Sequence, residues 1–316
     1  MMRAIVTGGA GFIGRAVVKW CLEQGWHTLA LDDLSNGQRE NLAKFEANPL
    51  FEGLMVGNFG DRAILDKTIP GADVVYHLAA RINVHDSLLN PRENWHDDAG
   101  GTFELLEAIR PYPNIRLVFV STCMVYDKAA VTDCITETHP VLPRSPYAAT
   151  KLACEYLALS YHHAYALPIT VLRPFNTYGP YQKSSGEGGV IATFLRNYLE
   201  GKPLSIFGDG EQTRDFLYVD DCANLIGLAG VCDAVVGRIV NGGTDSDVTI
   251  NKLASMVARG KVPVEHVPHI HPQAEIQKLC AESTLAKTLL GWAPQVDLAE
   301  GLRRTELWLK SELGLG

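Results

Sequence analysis

The stretch Arg3-Ala4-Ile5-Val6-Thr7-Gly8-Gly9-Ala10-Gly11-Phe12-Ile13-Gly14 decides the fold. Its apolar start predicts a short strand, and the glycines predict a sharp turn into a helix running from Phe12 to about Gln24. Gly8, Gly11 and Gly14 have the spacing G-x-x-G-x-x-G. Without side chains there, the backbone can approach a pyrophosphate and the helix can pack close to the strand, with the amides of Phe12 and Ile13 aimed at the phosphates. A bare glycine triplet is often only a tight turn, so its context matters. A second predicted strand, His27 to Leu31, ends in Asp32, eighteen residues beyond Gly14. A carboxylate there accepts hydrogen bonds from adenosine ribose hydroxyls and repels a 2′-phosphate, which favours NAD over NADP. The other reading of Asp32 is a cap for the turn at Ser35-Asn36-Gly37.

Further strands are expected at Leu54 to Val56, Asp73 to Leu78, Leu117 to Val120 and Ile169 to Leu172. Helical patterns lie between them, from about Asn90 to Arg110 and from Tyr147 to about Tyr165, the latter started by Pro146. The nearly pure apolar run Leu117 to Val120 suits the centre of a parallel sheet covered on both faces. Strands alternating with helices of this length predict an α/β fold, a doubly wound parallel Rossmann sheet with a smaller C-terminal lobe. Residues 1–175 are expected to form the dinucleotide-binding domain, with 211–241 returning to it, and 176–316 the substrate-binding lobe. Ser184-Ser185-Gly186-Glu187-Gly188-Gly189 has the composition of a mobile lid.

Within the second helix, Tyr147-Ala148-Ala149-Thr150-Lys151 places tyrosine and lysine one turn apart on the same face. An ammonium so placed favours the phenolate, and Tyr147 is then expected to exchange a proton near neutral pH. Y-x-x-x-K alone is common on ordinary helix surfaces. Here it follows Ser121-Thr122, which ends an apolar run about twenty-five residues earlier.

Loop, hydroxyl, tyrosine and lysine in that order resemble the extended short-chain dehydrogenase/reductase family, especially its nucleotide-sugar epimerases and dehydratases. The resemblance runs over nearly the whole chain, strongest up to Pro180 and again from Phe207 to Asp221. It implies an enzyme with NAD as cofactor and a nucleotide-diphosphate sugar as substrate. It further implies cofactor contacts from Asn36, Asn58, Phe59, Leu78, Ala79 and Ala80 beside the glycine loop and Asp32. Tyr147 would act as the base on the sugar C4 hydroxyl. Lys151 would hold the nicotinamide ribose, and Thr122, three residues before Val125-Tyr126, would position the sugar oxygen. Taken alone, Thr122 also fits a strand-end hydroxyl that satisfies a backbone group. Asn176 and Arg214 match diphosphate-binding positions, Phe207 would pack against the base, and Val190 joins the substrate site. The other reading of Arg214-Asp215 is a local ion pair. Relatives pair as homodimers through the helices near 90–110 and 147–165.

The chain departs from the family in several places. The family usually has aspartate where Asn58 stands, asparagine where Asp98 stands, and glycine where Asp127 follows Tyr126. Asp127 either brings a carboxylate near the site or simply forms a turn. The 4,6-dehydratases have aspartate and glutamate in the two positions after the threonine, and this chain has Cys123-Met124. Methionine is neither acid nor base, whereas a cysteine pKa falls readily near a cation or helix terminus. A nucleotide-sugar 4-epimerase is therefore expected ahead of a 4,6- or 5,6-dehydratase. The Thr-Cys pair, similar to one in a branch of hexosamine 5,6-dehydratases, keeps the dehydratase open. A third reading is a non-catalytic NAD-binding sensor, but such proteins tend to lose the tyrosine or the lysine. Pro272-Gln273-Ala274-Glu275 stands where many relatives carry R-x-G-D. His269 and His271 just before it are read as an ordered turn between prolines, with no third ligand to suggest a metal.

Composition agrees with an ordinary globular chain. Of 316 residues, 47% are hydrophobic and 20% charged, and the net charge is −8. Without a basic run, nucleic acid and anionic membranes are not expected as main partners. Seven cysteines, an odd number with no C-x-x-C, are expected to be reduced thiols. No apolar run reaches spanning length, and the chain is expected to be soluble and cytoplasmic.

Overall fold

The computed structural model of the protein describes residues 1–129, 134–184, 189–269 and 276–315. The first half alternates strands and helices: β1 (Arg3–Thr7), α1 (Phe12–Glu23), β2 (His27–Asp32), β3 (Phe51–Val56), α2 (Arg62–Thr68) and β4 (Val74–His77). Then come α3 (Val84–Leu89), α4 (Pro91–Asn94), α5 (Gly101–Ile109), β5 (Arg116–Val120), α6 (Pro146–Tyr165), β6 (Ile169–Pro174) and β7 (Asn176–Tyr178). The second half has α7 (Val190–Leu199), β8 (Leu204–Phe207), β9 (Thr213–Arg214), β10 (Phe216–Tyr218), α8 (Val219–Ala229) and β11 (Ile239–Gly242). It ends with β12 (Val248–Thr249), α9 (Ile250–Ala258), β13 (Val264–Val267), β14 (Lys278–Leu279), α10 (Thr284–Leu290) and α11 (Leu298–Glu312).

Seven strands form the central sheet in the order β11-β6-β5-β4-β1-β2-β3. Every pairing within it is parallel. Successive side chains alternate between the two faces, and both faces are buried. Ala4, Val6, Val118 and Val120 join one apolar cluster with α1 and α8, while Ile5, Leu117 and Ile169 join another with α2, α5 and α6. The chain builds outward from β1 through β2 to β3, then crosses back to β4. The crevice beyond the C-terminal ends of β1 and β4 is therefore the switch point where such sheets take ligands. Smaller sheets beside it pair β7 with β10, β8 with β13, and β9 with both β12 and β14.

Two expectations are corrected here. The helix expected over 90–110 is broken into α4, a π-helical turn at Trp95–Gly100, and α5. Two of the seven cysteines, Cys134 and Cys280, form a disulfide. Ile135 bridges Ala281 in parallel register, which brings the neighbouring Cα atoms to 4.7 Å across 146 residues of sequence, within disulfide reach. The sequence offered no motif for that pairing. Cys21, Cys123, Cys154 and Cys222 are buried thiols and Cys232 is half-buried. Among the described residues, no helix is long and apolar enough to cross a membrane.

Candidate active site

A cleft at the switch point collects most of the residues singled out from the sequence. It is lined by Gly8, Gly11, Phe12, Ile13, Gly14, Asp32, Asn36, Asn58, Phe59, Leu78, Ala79 and Ala80, and by Ser121, Tyr147 and Lys151. The glycine loop is shaped by close approach. Gly8 has φ +69°, and a Cβ there would lie 2.9 Å from the Ala79 nitrogen. A Cβ on Gly14 would lie 2.0 Å from the Gly8 carbonyl oxygen. Either substitution would push the loop, helix and following strand apart. The turn after β4 is held by Thr7, whose hydroxyl accepts from the amides of Leu78 and Ala79, each at 3.2 Å.

The start of α1 is open to an anion. Gly11 occupies its N-cap without a side-chain cap, and the first turn carries no acidic residue. The amides of Phe12 and Ile13 and the helix dipole thus remain available to a phosphate. Asp32 caps the turn that follows β2 and also faces the cleft. Its Oδ2 accepts from the Ala10 amide at 3.0 Å and its Oδ1 from the Leu34 amide at 2.9 Å, while the residue still lines the cleft. Burial raises its pKa, and the hydrogen bonds from Leu34 and Ala10 oppose this. Asn58 folds its Oδ1 back onto the Gly60 amide at 2.7 Å, which leaves its NH₂ as the outward group. Asn36 Oδ1 accepts a hydrogen bond from Lys183 Nζ. These features fit a dinucleotide: amides for the phosphates, a carboxylate for a ribose, and close backbone at Gly8 and Ala79.

At the β5 side, Thr122 caps a short 3₁₀ turn, Cys123–Val125, and its Oγ1 accepts from the Met124 amide at 3.2 Å. The bland reading of Thr122 is therefore met in part. The same hydroxyl also reaches Tyr147, whose pKa it lowers. Helix α6 begins with Ser145 accepting from the Ala148 amide and with Pro146 in its first turn. The Tyr147 amide donates to Ser87 Oγ at 3.2 Å, which ties the helix start to α3.

Burial drives the Tyr147 phenol well above its ordinary value, and the nearby Asp98 charge adds to this. Lys151 is buried too, with Nζ 4.4 Å from the centre of the Phe119 ring, and burial lowers its pKa. Desolvation is thus the largest influence on both groups. His77 lies deeper still, at the end of β4. Burial and the Lys151 charge pull it down to about 3, so it is neutral.

Cys123 does not behave as an activated thiol. It is 3% exposed in an apolar cluster with Val125, Tyr126, Ile135 and Phe175, with Met124 packed alongside. Burial pushes its pKa up to about 12, although the Arg214 charge works the other way. Asp127 is not on the cleft wall; it pairs with Arg144 at 2.9 Å and accepts from the Lys128 amide.

The substrate residues expected from the second half are less tightly gathered. Asn176 stands on β7 with a buried Oδ1 that has no hydrogen-bond partner. Val190 opens α7 and packs against the main core. Arg214 Nη1 donates to the carbonyls of Thr213 and Ile276, each at 2.8 Å. Asp215 accepts from the Thr244 hydroxyl and the Ala281 amide. Phe207 is 42% exposed beside the His269 ring. Residues 185–188 of the expected lid, and His271 with Pro272-Gln273-Ala274-Glu275, lie outside the described residues.

Three cleft residues had no role in the sequence reading. Ser121 has a buried hydroxyl without a partner, Arg81 follows Ala79-Ala80, and Asp98 sits on the π-helical turn. The only signal for any of them was the aspartate in place of asparagine at 98.

Comparison with known proteins agrees with this geometry. The chain is 37% identical over 313 residues to a UDP-glucose 4-epimerase of Mycolicibacterium smegmatis, covering 96% of this chain and 97% of that one. It is 33% identical to a dTDP-glucose 4,6-dehydratase of Neisseria meningitidis serogroup B, covering 98% and 93%. The solved structure of Pal from Bacillus thuringiensis superposes with a TM-score of 0.96 at 48% identity, covering 98% of this chain and all of that one. The model of the NAD dependent epimerase/dehydratase family matches residues 4–243, and with the glycine loop, the switch-point cleft and the Tyr147–Lys151 pair in place, the chain belongs to that family.

Proposed function

We propose that this protein is a nucleotide-sugar 4-epimerase that uses NAD and works through a transient 4-keto sugar. NAD, when bound, would supply a hydride acceptor and donor for the sugar C4. Tyr147 takes the C4 hydroxyl proton and gives it back, Thr122 holds the C4 oxygen, and Lys151 holds the nicotinamide ribose. Asp32 takes the adenosine ribose and disfavours a 2′-phosphate. Asn176 and Arg214 receive the diphosphate, with Val190 and Phe207 toward the sugar nucleotide.

The observation that carries this reading is the packing of Cys123 into an apolar cluster beside Met124. Removing water from the sugar calls for one group to protonate the departing C6 hydroxyl and another to remove the C5 proton. A thioether can do neither task, so the buried Cys123 has no second acid–base group in the position after it. Epimerisation requires no such pair. One observation favours a dehydratase: the Arg214 charge lowers the Cys123 pKa, though burial dominates.

Incubation with UDP-, dTDP-, GDP- and CDP-sugars, followed by mass spectrometry and NMR of the products, tests the reading. A product of unchanged mass inverted at C4 is expected. Loss of one water as the main outcome would overturn it.

A further inference from the structure

The disulfide between Cys134 and Cys280 is built into the packing behind the site. Ile135, next to Cys134, and Leu279 and Ala281, either side of Cys280, are fully buried. They share one apolar cluster with Cys123, Val125 and Tyr126, which backs the turn that Thr122 caps. Cys280 is 1% exposed whereas Cys134 is only partly buried, so a small reagent reaches the bond from the Cys134 side.

From the disulfide a short relay of main-chain contacts runs to Arg214. Strand β14 lies parallel to β9, with Leu279 opposite Arg214. The Thr213 amide donates to the Gln277 carbonyl and the Asp215 amide to the Leu279 carbonyl, each at 2.8 Å. Just beyond β14 the chain meets Ile135 in an isolated bridge. There the Ile135 amide donates to the Cys280 carbonyl at 2.7 Å, and the Glu282 amide to the Ile135 carbonyl at 2.9 Å. Asn241 Nδ2 anchors that same Ile135 carbonyl at 2.9 Å. Arg214 leans on the segment directly, since its Nη1 donates to the Ile276 carbonyl. Two-residue strands and one bridge open readily by themselves. A covalent link between Cys134 and Cys280 keeps them together by limiting how far the open segment can move.

We propose that Cys134 and Cys280 form a thiol–disulfide switch that sets the affinity of the substrate site by holding or releasing the segment beside Arg214. The proposal rests on the diphosphate role given to Arg214 above. In the reducing direction, a thiolate of a dithiol attacks Sγ of Cys134 and breaks its bond to Cys280. The second thiol of the reagent then displaces Cys134 from the mixed disulfide. Each departing thiolate takes up a proton that an attacking thiol gave up. The dithiol is oxidised by two electrons and the protein gains two thiols. A small-molecule disulfide reverses the exchange. With the bond open, 276–281 frays from β9 and from Ile135, and Arg214 loses the carbonyl that orients it. Tyr147 and Lys151 stand on α6, so the loss falls on binding and not on the chemical step.

The test compares the parent, treated with dithiothreitol or glutathione disulfide, with Cys134→Ser. Thiol titration in denaturant is expected to find five of the seven cysteines free before reduction and all seven after it. Reduction is expected to raise KM for the nucleotide sugar by about tenfold, the loss of one charge-assisted hydrogen bond, with kcat changed by less than about twofold. Reoxidation should restore the parent, while Cys134→Ser keeps the raised KM in both reagents. Seven free thiols throughout overturns the proposal, and so does a reducible bond with an unmoved KM, which is a structural staple only. Amide hydrogen exchange needs no turnover. Residues 213–215 and 276–281 are expected to exchange about tenfold faster after reduction and in Cys134→Ser, with 147–151 unchanged. Unchanged exchange in the first two segments, or faster exchange throughout the chain, overturns it. If no nucleotide sugar is turned over, the epimerase reading fails, while the thiol count and the exchange rates still decide the switch.

Discussion

Arg173 on β6 holds Glu155 on α6 with two hydrogen bonds, Nε to Oε1 at 2.9 Å and Nη2 to Oε2 at 2.5 Å, and both side chains are almost inaccessible. Glu155 lies one turn beyond Lys151, so this fork fixes the depth and rotation of the helix that carries Tyr147 and Lys151 against the central sheet. The Tyr126 ring packs over the guanidinium at 4.6 Å and leaves it little room to turn aside.

Glu155→Ala is expected to destabilise the protein by about 3–5 kcal/mol, because it leaves a buried guanidinium without a partner. Chemical denaturation of parent and variant measures this. A loss below about 1 kcal/mol would show that water or another group relieves the charge, and the fork would then not be what seats α6.

Tyr147→Phe is expected to fold and bind NAD like the parent, since the ring stays buried and only the hydroxyl is lost. Turnover should fall by about 10²- to 10⁴-fold or more, the usual contribution of a general acid–base group. Rates within a few-fold of the parent would remove Tyr147 from its proposed role.

Cys123→Ser separates the two chemistries. In an epimerase the buried thiol only packs, and much of the activity should survive, with some loss of stability from placing a hydroxyl among Val125, Tyr126 and Phe175. If the thiol moves a proton in a dehydration, water loss should slow by about 10²- to 10⁴-fold. Product mass and rate, measured together, distinguish these outcomes.

Self-association is expected through the helices on one side of the sheet. Trp95 on the π-helical turn, Phe103 on α5, and Tyr156 and Tyr165 on α6 are all exposed. Four large aromatic side chains on neighbouring helices are costly to leave in water and suit an isologous two-fold contact. Light scattering at micromolar concentration should give the mass of a dimer, and Tyr156→Arg should shift it toward monomer. A parent that scatters as a monomer removes the dimer.

What the sequence determined by itself was local. The apolar strand Arg3–Thr7, the glycine spacing and the strand–helix alternation specify β1, α1 and the parallel sheet, because side-chain period and backbone freedom are properties of neighbouring residues. The same locality places Tyr147 and Lys151 on one face of α6, and Thr122 where a strand ends. Tertiary structure decided the burial of those groups. Burial depends on residues distant in sequence, and it raises the Tyr147 pKa and packs Cys123 into an apolar cluster. It also joined Cys134 to Cys280 across 146 residues, left Phe207 half in solvent, and buried Asp98 in the cleft wall on a turn that no periodicity announces. Pairings that are distant along the chain leave no spacing to read, since only the packed sheet brings their partners within reach.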